Sequence, residues 1–154
     1  MTDKLHGMVD VGAKDATVRT ARAQAHITLS PEVVGLVREG TVKKGDVFEQ
    51  ARVAGIMAAK KTPALLPLCH PLPLDRVAVD FELQHDAVLV TAEAKATAKT
   101  GVEMEALVAA AAAALTIYDM CKMYDASMEI GGLFVLEKTG GASGDYARNA
   151  SGDR

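Results

Sequence analysis

A long run of strong helix formers, residues 103 to about 124, constrains the fold more than any other part of this sequence. Residues 109–114 of this run are all alanine, which combines the highest helix propensity with a very small side chain. The run therefore predicts one long helix that packs very closely against its neighbours. Its apolar stretch, residues 106–115, is about half of the roughly 20 residues that a membrane helix needs. We therefore expect no membrane span.

Alternation of apolar and polar side chains predicts strands in three other segments. These are residues 21–29, 77–83 and 88–98. His85 and Asp86 lie between the second and third segments and predict the turn of a hairpin. A last strand is predicted at residues 132–138, after the long helix.

Two shorter helices are predicted between the first and second strands. Ser30 followed by Pro31 is typical of a helix N-cap and first turn, and Asp46 begins a capping-box pattern before residues 47–60. The pair Thr62-Pro63 ends this second helix. Three prolines in residues 65–74 then exclude a helix or a central strand and predict a stiff apolar loop.

The predicted order of elements is strand, helices, strand, strand, helix, strand. This order indicates an α+β fold of the ferredoxin-like split βαβ type, with a four-stranded antiparallel sheet and helices on one face. We expect a flexible N-terminal arm at residues 1–14, a single domain at residues 15–140 and a Gly/Ser-rich flexible tail at residues 141–154.

Charge and cysteine content limit the classes of function. The net charge of −3 argues against a surface that neutralises nucleic-acid phosphates. Two cysteines give no disulfide framework, and the first residues lack the order of a signal peptide, so a cytoplasmic protein is expected. The sequence contains neither a Walker phosphate loop nor a dinucleotide-binding glycine motif. Its histidines and cysteines lack zinc-site spacing, so no metal ligands are predicted.

Cys69 and His70 lie within the proline-rich loop, where the stiff backbone holds an imidazole at a fixed place. Such a histidine can donate to a phosphate or position a base. A buried histidine that only closes the loop fits the same pattern, and the sequence does not choose between the two.

The long helix carries acidic residues at both ends. Asp119 and Lys122 share a face near its C-terminal end, where they form either a proton-transfer couple or an ordinary surface ion pair. Glu103 and Glu105 begin the helix, where acidic residues commonly just complement the helix dipole. Glu105 and Asp119 are 14 residues apart, so one straight helix separates them by roughly 21 Å.

Two chains are needed if both ends of this helix serve one pocket. Two copies of the helix would then pack antiparallel, and the alanine run supplies a smooth surface for that contact. The alternative is that the alanines only let the helix lie close to its own sheet.

Lysines near predicted element ends suit a polyphosphate ligand if they share a cleft, and are scattered solvent lysines otherwise. They are Lys43, Lys44, Lys60, Lys61, Lys99, Lys122 and Lys138.

Seven motifs spread over residues 8–145 make the sequence resemble the molybdenum cofactor biosynthesis protein C family, the cyclic pyranopterin monophosphate synthases. They are MVDV at 8–11, KGDVF at 44–48, ARVAGI at 51–56, LCHPL at 68–72, KTGVEMEAL at 99–107, ALTIYDMCK at 114–122 and SGD at 143–145.

The resemblance implies a ferredoxin-like subunit in a homohexamer, a trimer of dimers, with pockets at the dimer interface. It implies the substrate 3′,8-cyclo-7,8-dihydro-GTP, which becomes a pyranopterin with a cyclic phosphate as diphosphate leaves. It also implies that Asp119 is catalytic, with Lys122 beside it and Lys44 nearby. The residues implied in substrate binding are Leu68, Cys69, His70, Met104 and Glu105, with Glu103, Lys60 and Lys138 as supporting candidates.

No tightly bound cofactor is expected, although Mg²⁺ can accompany the triphosphate. Ala142 departs from the resemblance, because many members of the family have a lysine there, and this puts a phosphate contact by the tail in doubt.

Two other functions fit the residues. One is a non-catalytic oligomeric nucleotide-binding regulatory module. The other is a hydrolase that uses Cys69 and His70, which Cys69→Ser would inactivate.

Overall fold

The fold is a five-stranded antiparallel sheet, seen in a computed structural model that describes Lys4 and residues 6–149. The strand order is β2-β3-β1-β4-β5, which contains the predicted ferredoxin-like arrangement. The strands are β1 (Thr17–Thr28), β2 (Leu74–Leu83), β3 (Ala87–Ala98), β4 (Ile130–Thr139) and β5 (Tyr146–Ala147).

The helices lie between the strands in the predicted order. Both predicted N-caps are confirmed, because Ser30 accepts the amide of Val33 at 3.3 Å and Asp46 accepts the amide of Glu49 at 3.1 Å. The helices are α1 (Pro31–Glu39), α2 (Val47–Lys60), α3 (Thr62–Leu65) and α4 (Glu103–Cys121).

One face of the sheet carries the core. In β1 the buried side chains are those at odd positions, and the register places Ala21 opposite Ala94 and Ala25 opposite Val90 on the same face. Helix α4 packs against β1 and β3, and α2 packs against α4 and β2. The helices therefore cover the apolar face, as the alternation in the strands predicts.

Small residues set how closely the helices approach one another. A Cβ atom at Gly55 of α2 would lie 2.9 Å from the backbone oxygen of Ala109 in α4, so only glycine fits where the two helices cross. Nine residues of α4 are buried, four of them in the alanine run. The alanines therefore do bring α4 close to its own sheet and to α2.

By length and apolar composition, α4 is also the one helix in the described part of the chain that could span a membrane. Half of its most apolar window is buried inside the protein, as in the core helix of a globular domain.

Three details differ from the sequence-based prediction. The sheet has five strands rather than four, because Tyr146–Ala147 pairs with the edge of β4. A four-residue helix, α3, follows the predicted helix break, with its proline in the first turn, where no amide donor is needed. Helix α4 ends at Cys121 instead of continuing to about residue 124.

The predicted flexible arm and flexible tail fall partly outside the described residues, at 1–3, 5 and 150–154. The described part of the arm contacts the domain, since Lys99 Nζ donates to the Gly12 oxygen at 3.0 Å. The flexibility of both ends stays a prediction.

Candidate active site

A cavity of about 390 Å³ lies beside the N-terminal end of α4. The proline-rich loop forms one side, the start of α4 another, and the N-terminal segment a third. It brings together six residues that the resemblance implied in substrate binding. They are Leu68, Cys69, His70, Glu103, Met104 and Glu105.

His70 joins the loop to the N-terminal segment. Its Nε2 lies 2.8 Å from the backbone oxygen of Val9. A carbonyl oxygen only accepts hydrogen bonds, so Nε2 carries the hydrogen in this contact, which leaves Nδ1 unused by it. The loop histidine therefore has a defined contact as well as a place in the cavity wall.

A smaller, more polar cavity of about 150 Å³ adjoins the first and shares Lys14, Thr100, Gly101 and Glu103 with it. Three cationic side chains line it, those of Lys14, Arg19 and Lys138. The side chain of Lys138 donates to Glu103 Oε1 at 2.8 Å, and Arg19 donates to the backbone oxygen of Lys99 at 3.2 Å.

Arg19 and Lys14 were absent from the residues chosen from the sequence. They enter the site because β1 pairs with β3 from Thr17↔Ala98 onward, which sets the start of β1 beside the turn that precedes α4. The buried Nε of Arg19 has no protein partner among the described residues. A long-range strand register of this kind leaves no local sequence signal.

The glycine-rich segment after β4 closes this cavity. Gly140 has a φ of +92°, and a Cβ atom there would collide with the backbone oxygen of Val18. Glycine alone allows this close approach. Ser143 lines the same cavity, whereas Ala142 lines a neighbouring one with Lys14 and Arg19.

The predicted catalytic residues form a separate group at the other end of α4. Lys122 Nζ lies 2.8 Å from Asp119 Oδ1, and Lys44 Nζ lies 3.2 Å from Oδ2. Lys44 also donates to the backbone oxygen of Asp119 at 2.8 Å. We call Asp119, Lys122 and Lys44 the acid–base group.

The acid–base group is open to solvent in the single chain. The side chain of Asp119 is 57% exposed and that of Lys122 is 54% exposed. Hydrogen bonds from Lys122 and then Lys44 lower the pKa of Asp119, and the bond to Asp119 raises the pKa of Lys122. At neutral pH the carboxylate is therefore ionised between two ammonium groups.

The structure thus divides the predicted site residues between the two ends of one helix. Glu105 and Asp119 are separated by roughly 21 Å along α4. Lys60 belongs to neither group and lies exposed at the end of α2. The polar groups of both ends are present, but a single chain does not bring them to one small molecule.

Comparison with known sequences shows that the residues at both ends of α4 belong to one family pattern. The profile of the MoaC family matches residues 8–141, which include the cavity loop, all of α4 and the acid–base group. The chain belongs to the MoaC family.

Two curated relatives of this MoaC-family chain are similar to it over most of their length. A protein of Brevibacillus brevis is 51% identical over 142 residues, 92% of this chain and 89% of the relative. One of Methylobacterium sp. (strain 4-46) is 56% identical over 144 residues, 91% of this chain and 89% of the relative. Both are named cyclic pyranopterin monophosphate synthase. The family resemblance inferred from the motifs is therefore confirmed.

A third relative joins a MoaC-like region to further sequence. This protein of Synechococcus elongatus is 54% identical over 145 residues, which are 93% of this chain but 46% of the relative. It is named molybdenum cofactor biosynthesis bifunctional protein.

The surroundings of Cys69 in this MoaC-family site raise the pKa of its thiol. Burial raises the pKa of its thiol, and the nearby Glu105 charge raises it further. A catalytic cysteine needs the opposite shift, because the thiolate is the reactive form. The environment of Cys69 therefore argues against the cysteine-dependent hydrolase.

Glu105 is buried in the cavity wall, with 3% of its surface exposed. Burial raises the pKa of its carboxyl group, its own backbone amide lowers that pKa in part, and the charge of Glu103 raises it again. Partial burial raises the pKa of Glu103 too, but the bond from Lys138 and the charges of Lys138 and Arg19 outweigh it, so its pKa is lowered. The pKa of Glu105 is therefore raised and that of Glu103 is lowered, so Glu105 takes up a proton more readily.

The raised pKa of Glu105 predicts that Glu105→Gln stabilises the folded chain at high pH. A carboxyl group whose pKa is higher in the folded state loses stability as pH rises from its unfolded pKa through its folded pKa. We expect the variant to have a higher free energy of unfolding at pH 8 and no such gain near pH 4, where the carboxyl group is protonated in both states. Urea unfolding at the two pH values measures it, and an equal effect at both would contradict a titrating Glu105.

Proposed function

We propose that the chain converts (8S)-3′,8-cyclo-7,8-dihydroguanosine 5′-triphosphate to cyclic pyranopterin monophosphate and diphosphate, as a lyase of molybdenum cofactor biosynthesis. Relatives with about half of their residues identical carry the name of that synthase. The observation that carries the proposal is the acid–base group, an ionised carboxylate held between two ammonium groups on a member of this family.

The acid–base group suits the proton transfers of a purine rearrangement. Opening and reclosing the ring system requires repeated proton removal and return. In the resting chain the Asp119 carboxylate is free to accept a proton and the Lys122 ammonium group to donate one. Their contact stabilises both charged forms, which lowers the pKa of Asp119 and raises that of Lys122. Lys44, on the second carboxylate oxygen, keeps Asp119 ionised and adds a second donor.

The polar cavity suits the triphosphate. Arg19, Lys14 and Lys138 supply three positive charges beside the His70 cavity, and charged donors bind phosphate oxygens strongly. Closure of a cyclic phosphate places negative charge on the departing diphosphate, which the same cations stabilise. We therefore assign the phosphates to the polar cavity and the base to the cavity that Met104 and Glu105 line.

Loss of the Arg19 charge is expected to weaken substrate binding. We expect Arg19→Gln to raise KM by roughly tenfold to a hundredfold, because a charge-assisted contact to phosphate contributes about 1.5–3 kcal/mol. Arg22→Gln is the matched control, since Arg22 lies on the same strand, on the opposite face of the sheet, and pairs with Glu137. Steady-state kinetics measure both. An equal change in KM for the two variants would remove Arg19 from the phosphate site.

A complete site in this proposal needs two chains. The acid–base group of one subunit faces the cavity of its neighbour, with two α4 helices antiparallel, in a homohexamer built as a trimer of dimers. Apolar side chains that α2 and α4 expose support such a contact. Val53 is 52% exposed, Met57 49% and Leu115 60%.

The remaining proposals concern surroundings and cofactors. We place the enzyme in the cytoplasm, without a nucleic-acid or membrane partner. We propose that it works without a tightly bound cofactor and that Mg²⁺ enters only with the triphosphate. We propose that Glu103 and Lys138 bind the substrate as an ion pair. Lys60 stays a supporting candidate for substrate binding.

Incubation with the cyclised nucleotide tests the proposed function. Release of diphosphate together with formation of the cyclic pyranopterin phosphate supports it. Binding without turnover would favour the non-catalytic nucleotide-binding module instead. The assay is run with and without a chelator, because loss of activity on chelation would show that Mg²⁺ takes part.

A further inference from the structure

Lys44 reaches Asp119 from a loop rather than from a helix or strand. The loop joins α1 to α2, and the ammonium group at the end of four methylene groups must meet both the carbonyl and the carboxylate of Asp119. A lysine side chain has many rotamers, so this double contact depends on a backbone that is fixed relative to the end of α4.

Two features fix the loop from within. Val42 is 5% exposed and belongs to the core, and Gly45 donates its amide to the Val42 oxygen at 3.0 Å to close a turn around Lys44. Gly45 has a φ of +116°, which suits glycine. These contacts shape the loop and attach it to the core at Val42, on the far side of Lys43 from Lys44.

A contact with Tyr124 joins the loop to the segment that follows α4. The backbone amide of Lys43 donates to the Tyr124 hydroxyl at 2.8 Å. Tyr124 lies shortly after Lys122, in the turn that follows α4. Its amide donates to the Cys121 oxygen at 2.9 Å, and its ring packs against the core. The hydroxyl therefore links the residue before Lys44 to the turn after Lys122.

We infer that Tyr124 is a positioning residue of the acid–base group: its hydroxyl holds the Lys44 loop at the distance from α4 that lets Lys44 contact Asp119. The catalytic consequence rests on the proposed function, whereas the structural consequence does not. The Lys43 amide is near solvent, so water replaces the lost acceptor and the fold keeps its stability. Catalysis is more sensitive, because a displacement of about 1 Å changes rates strongly.

Tyr124→Phe tests the inference, with Tyr118→Phe as the matched control. Both variants delete one hydroxyl near the end of α4 and keep the ring, but the Tyr118 hydroxyl donates to the Ala126 oxygen at 3.4 Å instead of binding the Lys44 loop. The titrating groups that act on Asp119 are Lys122 and Lys44; Tyr118 in turn lies near Lys122, and Cys121 near Lys44.

The first measurement is a carbon-detected NMR titration of the Asp119 carboxyl group, which needs no substrate. In Tyr124→Phe the pKa of Asp119 should rise, as it should in Lys44→Ala, because the ammonium group that lowers it withdraws. In Tyr118→Phe it should stay near that of the unmodified chain. The second measurement is kinetic, where Tyr124→Phe should lower kcat by roughly twofold to tenfold with KM nearly unchanged.

An Asp119 titration in Tyr124→Phe that matches the unmodified chain would overturn the inference, whatever the activity. An unmodified chain that binds the cyclised nucleotide without turning it over would overturn the proposed function. The titration would still decide whether Tyr124 positions Lys44, so the two failures are distinguishable.

Discussion

Asp119→Asn is expected to lower kcat for the proposed reaction by about 100- to 10,000-fold, the usual contribution of a general acid or base. Asparagine keeps the size of the side chain and its hydrogen-bonding oxygen but cannot take up a proton at neutral pH. The side chain of Asp119 is 57% exposed, so its loss should leave the fold unchanged. Single-turnover measurement of diphosphate release gives the rate.

Asp86→Asn is the control for this prediction. Asp86 lies in the turn between β2 and β3 and its side chain is 60% exposed, close to the exposure of Asp119. It should retain full activity. A rate for Asp119→Asn within a few-fold of that control would mean that Asp119 transfers no proton in the rate-limiting steps.

Mixing two variants that each lose activity in the proposed site is expected to restore about a quarter of the activity. The variants are Asp119→Asn and His70→Ala, which alter opposite ends of the site. If each site takes Asp119 from one chain and His70 from its neighbour, a mixed dimer has one site with both substitutions and one with neither. Random mixing makes about half of the dimers mixed, and half of the sites in those dimers are intact.

The length of α4 is the physical reason for this prediction. Its 19 residues place the acid–base group and the His70 cavity at opposite ends, roughly 21 Å apart. Refolding the two variants together and assaying diphosphate release provides the test. A mixture no more active than its parents would place the whole site within one chain, and the two-chain proposal would be wrong.

A second mixture controls for effects of refolding. Asp119→Asn and Lys122→Ala alter the same end of α4, with their charged atoms 2.8 Å apart. In a mixed dimer each site would then carry one of the two substitutions. This mixture should stay inactive, and recovery in both mixtures would point to exchange or contamination rather than to shared sites.

Local sequence patterns predicted the elements that have local causes. The alternation in β1 and β3, the caps at Ser30 and Asp46 and the long helix α4 all depend on neighbouring residues, and all are present. The two-residue strand β5 was missed, because a pair of residues is too short to show alternation. Its pairing depends on the exposed edge of β4, which no local pattern reports.

The site was predicted less completely than the fold. The motifs pointed to His70, Glu105 and Asp119, which lie within the part of the chain that the family profile matches, and their roles stay predictions. Arg19 was missed, although it lines the polar cavity, because an arginine near the start of a strand is ordinary in sequence. Lys60 was chosen from its place at the end of a helix, and the structure leaves it exposed and apart from both groups.

The sequence by itself determined the order of the elements, the buried faces of the strands and the residue types that carry proton-transfer chemistry. Only the tertiary structure decided which of those residues meet. Lys44 contacts Asp119 across 75 positions of sequence, and Lys138 contacts Glu103 across 35. Periodicity and capping act over a few residues, whereas such contacts depend on strand register and on the packing of distant segments, which only the folded chain fixes.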